Sequence, residues 1–434
     1  MSRPKLGVLA AYLRARRRTF RDREQLEAWQ ARRLKRTLDR ARATFPFYAG
    51  LARDGLARAD LEAFPVLTKT IMTEHFAELN DRGLTLGECL AAARAAEDRR
   101  DFTTTLKGVS VGLSSGTSGR QTVFLTSPAE RNGWAGEILA KALPGGLRAG
   151  ARVALILRAG GPLYQSVGTG RIVFRFFDLA RPLDEHVKGL TDLAPTILAA
   201  PPSALRLLAL FRQHGHLTIA PERIYSIAEV LDSHDQALIE SAFGCRVDQI
   251  YQATEGFLGI SCARGRLHLN EDLLVIERDV VDQATGRFSP IITDLFRRTQ
   301  AMVRVRLDDV LIESAAACPC GSPLQVIEKV EGRADDVLLL PAATAPAELR
   351  PLFADFARSA VLRVDGLTDF HLIQPSPRLL QLGVEPVTAG PAAVRSLADQ
   401  IARAGLRPPD IELVPFALPE APVKLRRVRR DFPP

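Results

Sequence analysis

From about residue 108 the chain repeats one pattern that leaves few folds open to it. Short apolar runs, RVALIL, RIVFRFF, PTILAA, RIYSIAE and VDQIYQ, alternate with helical stretches such as SALRLLALFRQHG and DSHDQALIESAFG. Apolar runs too short for helices, each followed by an amphipathic segment, are what βαβ units require, because their strands are parallel and covered on both faces. The expected core is an α/β layer with a largely parallel sheet. Between residues 256 and 330 the runs shorten into an appended β region. Ahead of the alternation, residues 5–44 read as one helix stopped at Phe45-Pro46, and FPVLTKTIMTEHF and LTLGECLAAARAAEDRRDF read as further helices. A small α+β domain follows, with strands VLLL and DFHLIQ and helices PAELRPLFADFARS and GPAAVRSLADQIARAG. The expected division is 1–332, including a helical segment at 1–45, and 333–434.

Composition removes several function classes. The chain has 434 residues, which at about 150 residues per domain allows two or three units. No apolar run approaches the roughly 20 residues that span a bilayer. The start, MSRPKLGVLAAYLRARRR, lacks a small-residue cleavage site, so no signal peptide is expected. Five cysteines, an odd number scattered along the chain, argue against a disulfide scaffold and for the reducing cytoplasm. A net charge of +8 favours anionic partners. The densest basic patches, Arg14 with Arg16–Arg18 and Lys424 with Arg426, Arg427, Arg429 and Arg430, are not interleaved with aromatics, so nucleic acid is not an expected partner.

One loop stands out for its chemistry. In GVSVGLSSGTSGRQTVFLTS, residues 108–127, both flanks alternate as strands, and the turn between them holds Ser114, Ser115, Gly116, Thr117, Ser118, Gly119 and Arg120. Two glycines allow backbone N–H groups to converge, four hydroxyls add donors, and Arg120 adds a fixed cation, an array suited to a polyphosphate. It is not a Walker A loop, because the Gly-Lys-Ser/Thr ending is missing and a strand follows. An ordinary Gly- and Ser-rich hairpin is the alternative.

Taken in order, that loop, YQATEG (251–256), TDLFRRTQAMVRVRLDDV (293–310) and EGRADDV (331–337) resemble the successive motifs of adenylate-forming enzymes, the acyl- and aryl-CoA synthetases and their relatives. FPFYAGL, FPVLTKT, LHLNED and ACPCGS make the chain most similar to the phenylacetate-CoA ligase and coenzyme F390 synthetase branch, and YQATEG to an uncharacterised adenylate-forming clade within it. The resemblance covers nearly the whole chain. It implies that the Ser114–Arg120 loop wraps the β- and γ-phosphates of ATP. Tyr251 would pack near adenine, as would Ala228 and Glu229 in SIAEV; Thr254 would bond the α-phosphate and Glu255 would hold magnesium. Asp309 would accept both ribose hydroxyls, Arg333 would stand at the domain junction, Asp335 would be the hinge, and Lys424 in PVKLRRV would be the catalytic lysine. For Lys424 the other reading is a solvated basic tail, since Val423 replaces the family's glycine.

The implied reaction is adenylation of a small carboxylic acid, aromatic or medium-chain, with transfer to CoA or another thiol or amine acceptor. Two other readings are transfer of AMP to a phenolic hydroxyl, as in coenzyme F390 synthetase, and nucleotide binding without turnover. Gln121, Gln252 and Val305 depart from the family's Pro, Gly and Tyr. The run LLLPAATAP (338–346) replaces a Gly-containing loop that helps bind CoA, so adenylation is the step the resemblance carries furthest. Finally, Cys262-x5-His268 and Cys318-x-Cys320 supply four soft or borderline ligands in two pairs, and relatives in this branch spell the same pattern. A structural zinc site is one reading and buried free cysteines the other.

Overall fold

A computed structural model describes residues 3–53, 61–113, 122–143, 145–157, 160–161, 171–179, 181–333, 336–417 and 426–432. The chain divides into two compact units, Met1–Leu307 with Ile312–Lys329, and Asp308–Leu311 with Val330–Pro434.

The first unit opens with a small antiparallel sheet of β1 (Thr105–Leu106), β2 (Val109–Leu113) and β3 (Val123–Thr126). Leu113 pairs with Val123, so the two strands flanking the hydroxyl-rich turn form a hairpin. Next come β4 (Ala151–Leu157), β5 (Ile172–Asp178), β6 (Ile197–Ala200), β7 (Arg223–Ile227) and β8 (Val247–Ala253), all parallel and ordered β8-β7-β6-β4-β5. Their side chains alternate between two buried clusters. Val153, Leu155, Ala199 and Tyr225 face one, under the helices Arg3–Arg17, Arg23–Thr44 and Pro128–Ala142, which contribute Val8, Leu38 and Leu139. Ala154, Ile156, Leu198 and Ile224 face the other, under Val187–Leu193, Pro202–Gln213 and Ser233–Phe243, which contribute Leu190, Leu205 and Ile239. Burial on both faces is why β4 and β6 are apolar at nearly every position, whereas β5, at the end of the sheet, exposes Val173 and Arg175.

Antiparallel strands extend this sheet: β9 (Gly256–Ser261), β10 (Leu267–Leu269), β11 (Leu274–Asp282), β12 (Arg287–Asp294) and β13 (Val305–Arg306). β14 (Asp309–Glu313) and β15 (Val326–Arg333) complete its path, and within them the chain passes between the two units.

The helix expected over 5–44 is two helices, Arg3–Arg17 and Arg23–Thr44. Asp22 caps the second by accepting the Gln25 N–H at 2.8 Å, and Arg18, in the break, reaches Asp272 at 3.0 Å and Glu137. Phe45 closes the second helix and Pro46 starts the next, as Pro at a first helical position can.

The second unit pairs β16 (Leu338–Pro341) with β17 (Leu349–Leu352) and builds a four-stranded sheet from β18 (Asp369–Ser376), β19 (Leu379–Glu385), β20 (Asp410–Val414) and β21 (Val428–Arg430). Phe370, Leu372 and Leu382 share its core with Ala357 and Val361 of the helix Ala354–Leu362 and Leu397 and Ile401 of Gly390–Arg403. The helix expected over 346–359 is thus half strand: ladder bonds to β16 override the helix propensity of Glu348, Leu349 and Arg350. Arg427 and Asp369, both buried, pair at 2.7 Å.

Candidate nucleotide site and metal cluster

In an open parallel sheet ligands bind beyond the carboxyl ends of the strands. At that edge Ile227, last in β7, pairs with Ile250 of β8. Ala228 follows with φ +66°, and the Glu229 N–H donates to the Ile227 carbonyl at 2.8 Å. This is a γ-turn of the rarer hand, a backbone form that costs of order 1–3 kcal/mol and persists where its surroundings hold it. Part of that hold is the Glu229 carboxylate, which accepts the Ser203 N–H at 3.3 Å at the start of Pro202–Gln213.

One strand over, β8 bulges between Tyr251 and Gln252, and Ala253 pairs with Gly256 of β9. Thr254 and Glu255 are therefore the two residues of a tight hairpin turn. The Thr254 hydroxyl donates to Glu255 Oε2 at 2.7 Å, and the Glu255 residue is buried. Strand pairing thus brings the sequence-predicted Ala228, Glu229, Tyr251, Thr254 and Glu255 to one edge. Asp294 lies against this turn: a Cβ built at Gly256 would stand 3.4 Å from its Oδ2, an ordinary contact distance. Burial pushes the Asp294 carboxyl up to about 6 against the Arg297 charge, while its Oδ1 accepts the Phe296 and Arg297 N–H groups at 2.7 and 2.9 Å.

The remaining predicted residues are placed differently. Ser114, Ser115, Gly116, Thr117, Ser118, Gly119, Arg120, Asp335 and Lys424 lie outside the described residues, as does the Arg333 side chain. Asp309 is half-buried and opens β14.

Sequence reasoning missed the group that anchors the strand and helix after the hydroxyl-rich turn. Glu130 closes a capping box with Ser127 at the start of Pro128–Ala142 and also accepts the Arg298 and Thr299 N–H groups at 2.7 and 3.0 Å and the Thr299 hydroxyl. Burial opposes its charge, but Arg297 and these donors outweigh burial and bring its pKa down to about 2. Beside it, Gln300 Oε1 accepts the Leu125 N–H at 3.0 Å and its Nε2 donates to the Val123 carbonyl at 3.4 Å, so the amide completes the open edge of β3. The S-P-A-E spelling of 127–130 was the available signal for Glu130.

Cys262, His268, Cys318 and Cys320 converge, with their ligand atoms all within 4.8 Å of one another. The β9–β10 hairpin, in which Ser261 pairs with Leu267, sets Cys262 beside His268. Cys262 Sγ lies 3.7 Å from Cys318 Sγ, and Cys320 Sγ lies 3.5 Å from His268 Nε2. A tetrahedral ion with arms of about 2.3 Å to sulfur and 2.0 Å to nitrogen has edges of about 3.8 and 3.5 Å, which these two separations match. His268 Nδ1 lies 3.0 Å from the Leu324 carbonyl, which leaves Nε2 for the ion, and burial lowers the pKa of the ring so that it stays neutral.

No protein-family model matches the chain. Phenylacetate-coenzyme A ligase of Thermus thermophilus is 26% identical over 351 residues, 73% of this chain and 72% of that protein. Among solved structures, 2-hydroxyisobutyryl-CoA ligase in its postadenylation state with R3-HIB-AMP matches with a TM-score of 0.69 at 18% identity, over 93% of this chain and 89% of that one. An amide bond synthetase from Marinactinospora thermotolerans matches with a TM-score of 0.53 at 12% identity, over 75% of this chain and 67% of that one. Among the described residues no helix is long and apolar enough to cross a membrane. The chain is thus similar in sequence to a phenylacetate-coenzyme A ligase and shares the fold of an acyl-CoA ligase in its postadenylation state.

Proposed function

We propose that the chain is an ATP-dependent ligase of the phenylacetate-CoA ligase-like branch that activates a small carboxylic acid, aromatic or medium-chain, and passes the acyl group to CoA. The observation that carries the reading is the carboxyl edge of β7 and β8, where a strained turn at Ala228 stands beside the Thr254–Glu255 turn.

In the first step a substrate carboxylate oxygen attacks the α-phosphorus of ATP, and the bond to the bridging oxygen breaks to release pyrophosphate. The backbone at Ala228 and Glu229 and the Tyr251 ring hold adenine, and the Thr254 hydroxyl turns from Glu255 to an α-phosphate oxygen. Glu255 would hold magnesium, which would supply charge neutralisation at the phosphates. The Ser114–Arg120 loop takes the β- and γ-phosphates, Asp309 the ribose hydroxyls, and Lys424 the charge developing at the α-phosphate. In the second step the thiol sulfur attacks the acyl carbon, its proton leaves to solvent, and AMP departs with the carbon–oxygen electron pair. Arg333 and Asp335 mark the junction about which the C-terminal region, 333–434, turns between steps.

The Cys262, His268, Cys318, Cys320 set holds zinc in a structural role: four protein ligands close the coordination sphere and leave no position for substrate. Five free cysteines support residence in the reducing cytoplasm.

ATP–pyrophosphate exchange over a panel of acids tests the reaction. Acid-dependent exchange that Glu255→Gln and Thr254→Ala abolish is expected. Mg-ATP binding without exchange for any acid would leave nucleotide binding without turnover, and AMP retained on a phenolic product would mark nucleotidyl transfer instead.

A further inference from the structure

One carboxylate oxygen beside the Thr254–Glu255 turn is left over. It belongs to Asp294, the last residue of β12, which opens the segment 294–300. At the start of that segment Asp294 Oδ2 faces Gly256, one position past Glu255. At its end Gln300 completes the open edge of β3, whose Val123 pairs with Leu113 across the base of the hydroxyl-rich turn. One short segment thus ties the expected magnesium ligand to the expected phosphate loop.

The other polar groups on the segment are committed. Asp294 Oδ1 accepts the Phe296 and Arg297 N–H groups at 2.7 and 2.9 Å, and Glu130 accepts the Arg298 and Thr299 N–H groups at 2.7 and 3.0 Å. Asp294 Oδ2 has no hydrogen-bond partner among the described residues, although the residue is only 9% exposed. The charges that face it come from three elements: Arg297 on its own segment, Arg33 on Arg23–Thr44 and Glu130 on Pro128–Ala142. Neither arginine forms an ion pair with it among the described residues. Arg33 instead lies over the Phe296 ring, 4.2 Å from its centroid, and donates to the Leu295 carbonyl at 3.4 Å. A carboxylate oxygen so far removed from water is costly without a donor, and its place in a native fold calls for a water or an ion that it helps to hold.

Position selects the ion. Magnesium is held by one or two carboxylates together with phosphate oxygens, and keeps several of its waters. Glu255 is one carboxylate at this turn, and Asp294 is a second whose oxygen is uncommitted. We propose that Asp294 is a positioning residue for the divalent cation of Mg-ATP, its Oδ2 accepting a hydrogen bond from the cation's water shell while Glu255 is the direct ligand, an inference that rests on the nucleotide-site reading above. Acceptors at this remove orient what the ion holds, and their loss commonly costs about 10–100-fold in metal affinity.

The test is calorimetric titration of the full chain with α,β-methylene-ATP, which cannot release pyrophosphate, so that the ion is read without turnover. Affinity is measured with excess Mg2+ and again in EDTA, for the wild type and for Asp294→Asn, which keeps Oδ1 as an acceptor for both N–H groups. With Mg2+ the variant should bind at least about tenfold more weakly. In EDTA it should bind as tightly as the wild type or about twofold more tightly, because a negative charge has left the neighbourhood of a polyphosphate. A merely structural role would weaken binding in both media. Asp294→Glu keeps the charge but shifts the oxygens, and should match the wild type in EDTA while losing part of the gain from Mg2+. In a Glu255→Gln background, where the direct ligand is gone, adding Asp294→Asn should cost under about threefold. Unchanged binding of Asp294→Asn with Mg2+, or equal weakening in both media by both Asp294 variants, would overturn the role. If Glu255→Gln loses the gain from Mg2+ and Asp294→Asn keeps it, the nucleotide site stands and the role of Asp294 falls. If the wild type binds the analogue in neither medium, the nucleotide-site reading fails and takes the role of Asp294 with it.

Discussion

Glu130→Gln removes one negative charge and little volume, at a carboxylate that accepts five hydrogen bonds. The folded-state pKa lies below the ordinary 4.5, at about 2. A depressed carboxylate pKa stabilises the fold fully above the unfolded value and loses that stabilisation as pH falls through the folded one. At about 1.36 kcal/mol per pH unit the charge contributes about 3 kcal/mol at pH 7, and about 1.4 kcal/mol at pH 3. The residue is half-buried, so solvent screens part of this and the figures are upper values. A chain that divides into two units need not unfold in one step, so the local quantity is the better readout. Hydrogen exchange of peptides covering 123–143 and 296–302 should run about 100-fold faster in Glu130→Gln at pH 7, and about tenfold faster at pH 3. A change under tenfold at pH 7, or the same ratio at both pH values, would refute the claim that this charge holds the two segments together.

The metal cluster predicts that protein purified without chelator carries one zinc per chain, and that Cys318→Ser loses it with a fall in melting temperature; metal-free protein of unchanged stability would reject the site. Gln300→Leu removes the amide with little change of size and strands the Leu125 N–H and the Val123 carbonyl, a loss of about 1–3 kcal/mol that should appear as reduced exchange protection confined to β2 and β3. Gly136→Ala places a methyl 2.4 Å from Ala11 Cβ and 2.6 Å from the Tyr12 nitrogen, so the helices Arg3–Arg17 and Pro128–Ala142 must separate, at about 1–3 kcal/mol by thermal denaturation. A neutral outcome there would mean that the N-terminal helix docks less tightly than its contacts indicate.

What could be read in advance follows the range of the forces involved. β4 and β6 were legible because burial on both faces makes each run apolar by itself, whereas Thr254 and Glu255 were named from the YQATEG motif and the hairpin they turn was not foreseen. The two cysteine pairs were legible because each is local, Cys262 and His268 being joined by a single hairpin. What escaped is non-local. Arg18 breaks the first helix toward partners 119 and 254 positions away, and Glu130 binds a segment 168 and 169 positions away. β17 was misread because helix-forming residues are held by a strand ladder, which propensity does not record. The proposed chemistry therefore sits on short motifs that sequence spells out, while the strand and helix after the hydroxyl-rich segment are anchored by a carboxylate and an amide bonded to remote segments. Substitutions at Thr254 or Glu255 should accordingly change turnover with little effect on stability. At Glu130 or Gln300 they should lower stability first, and turnover only through the displaced strand.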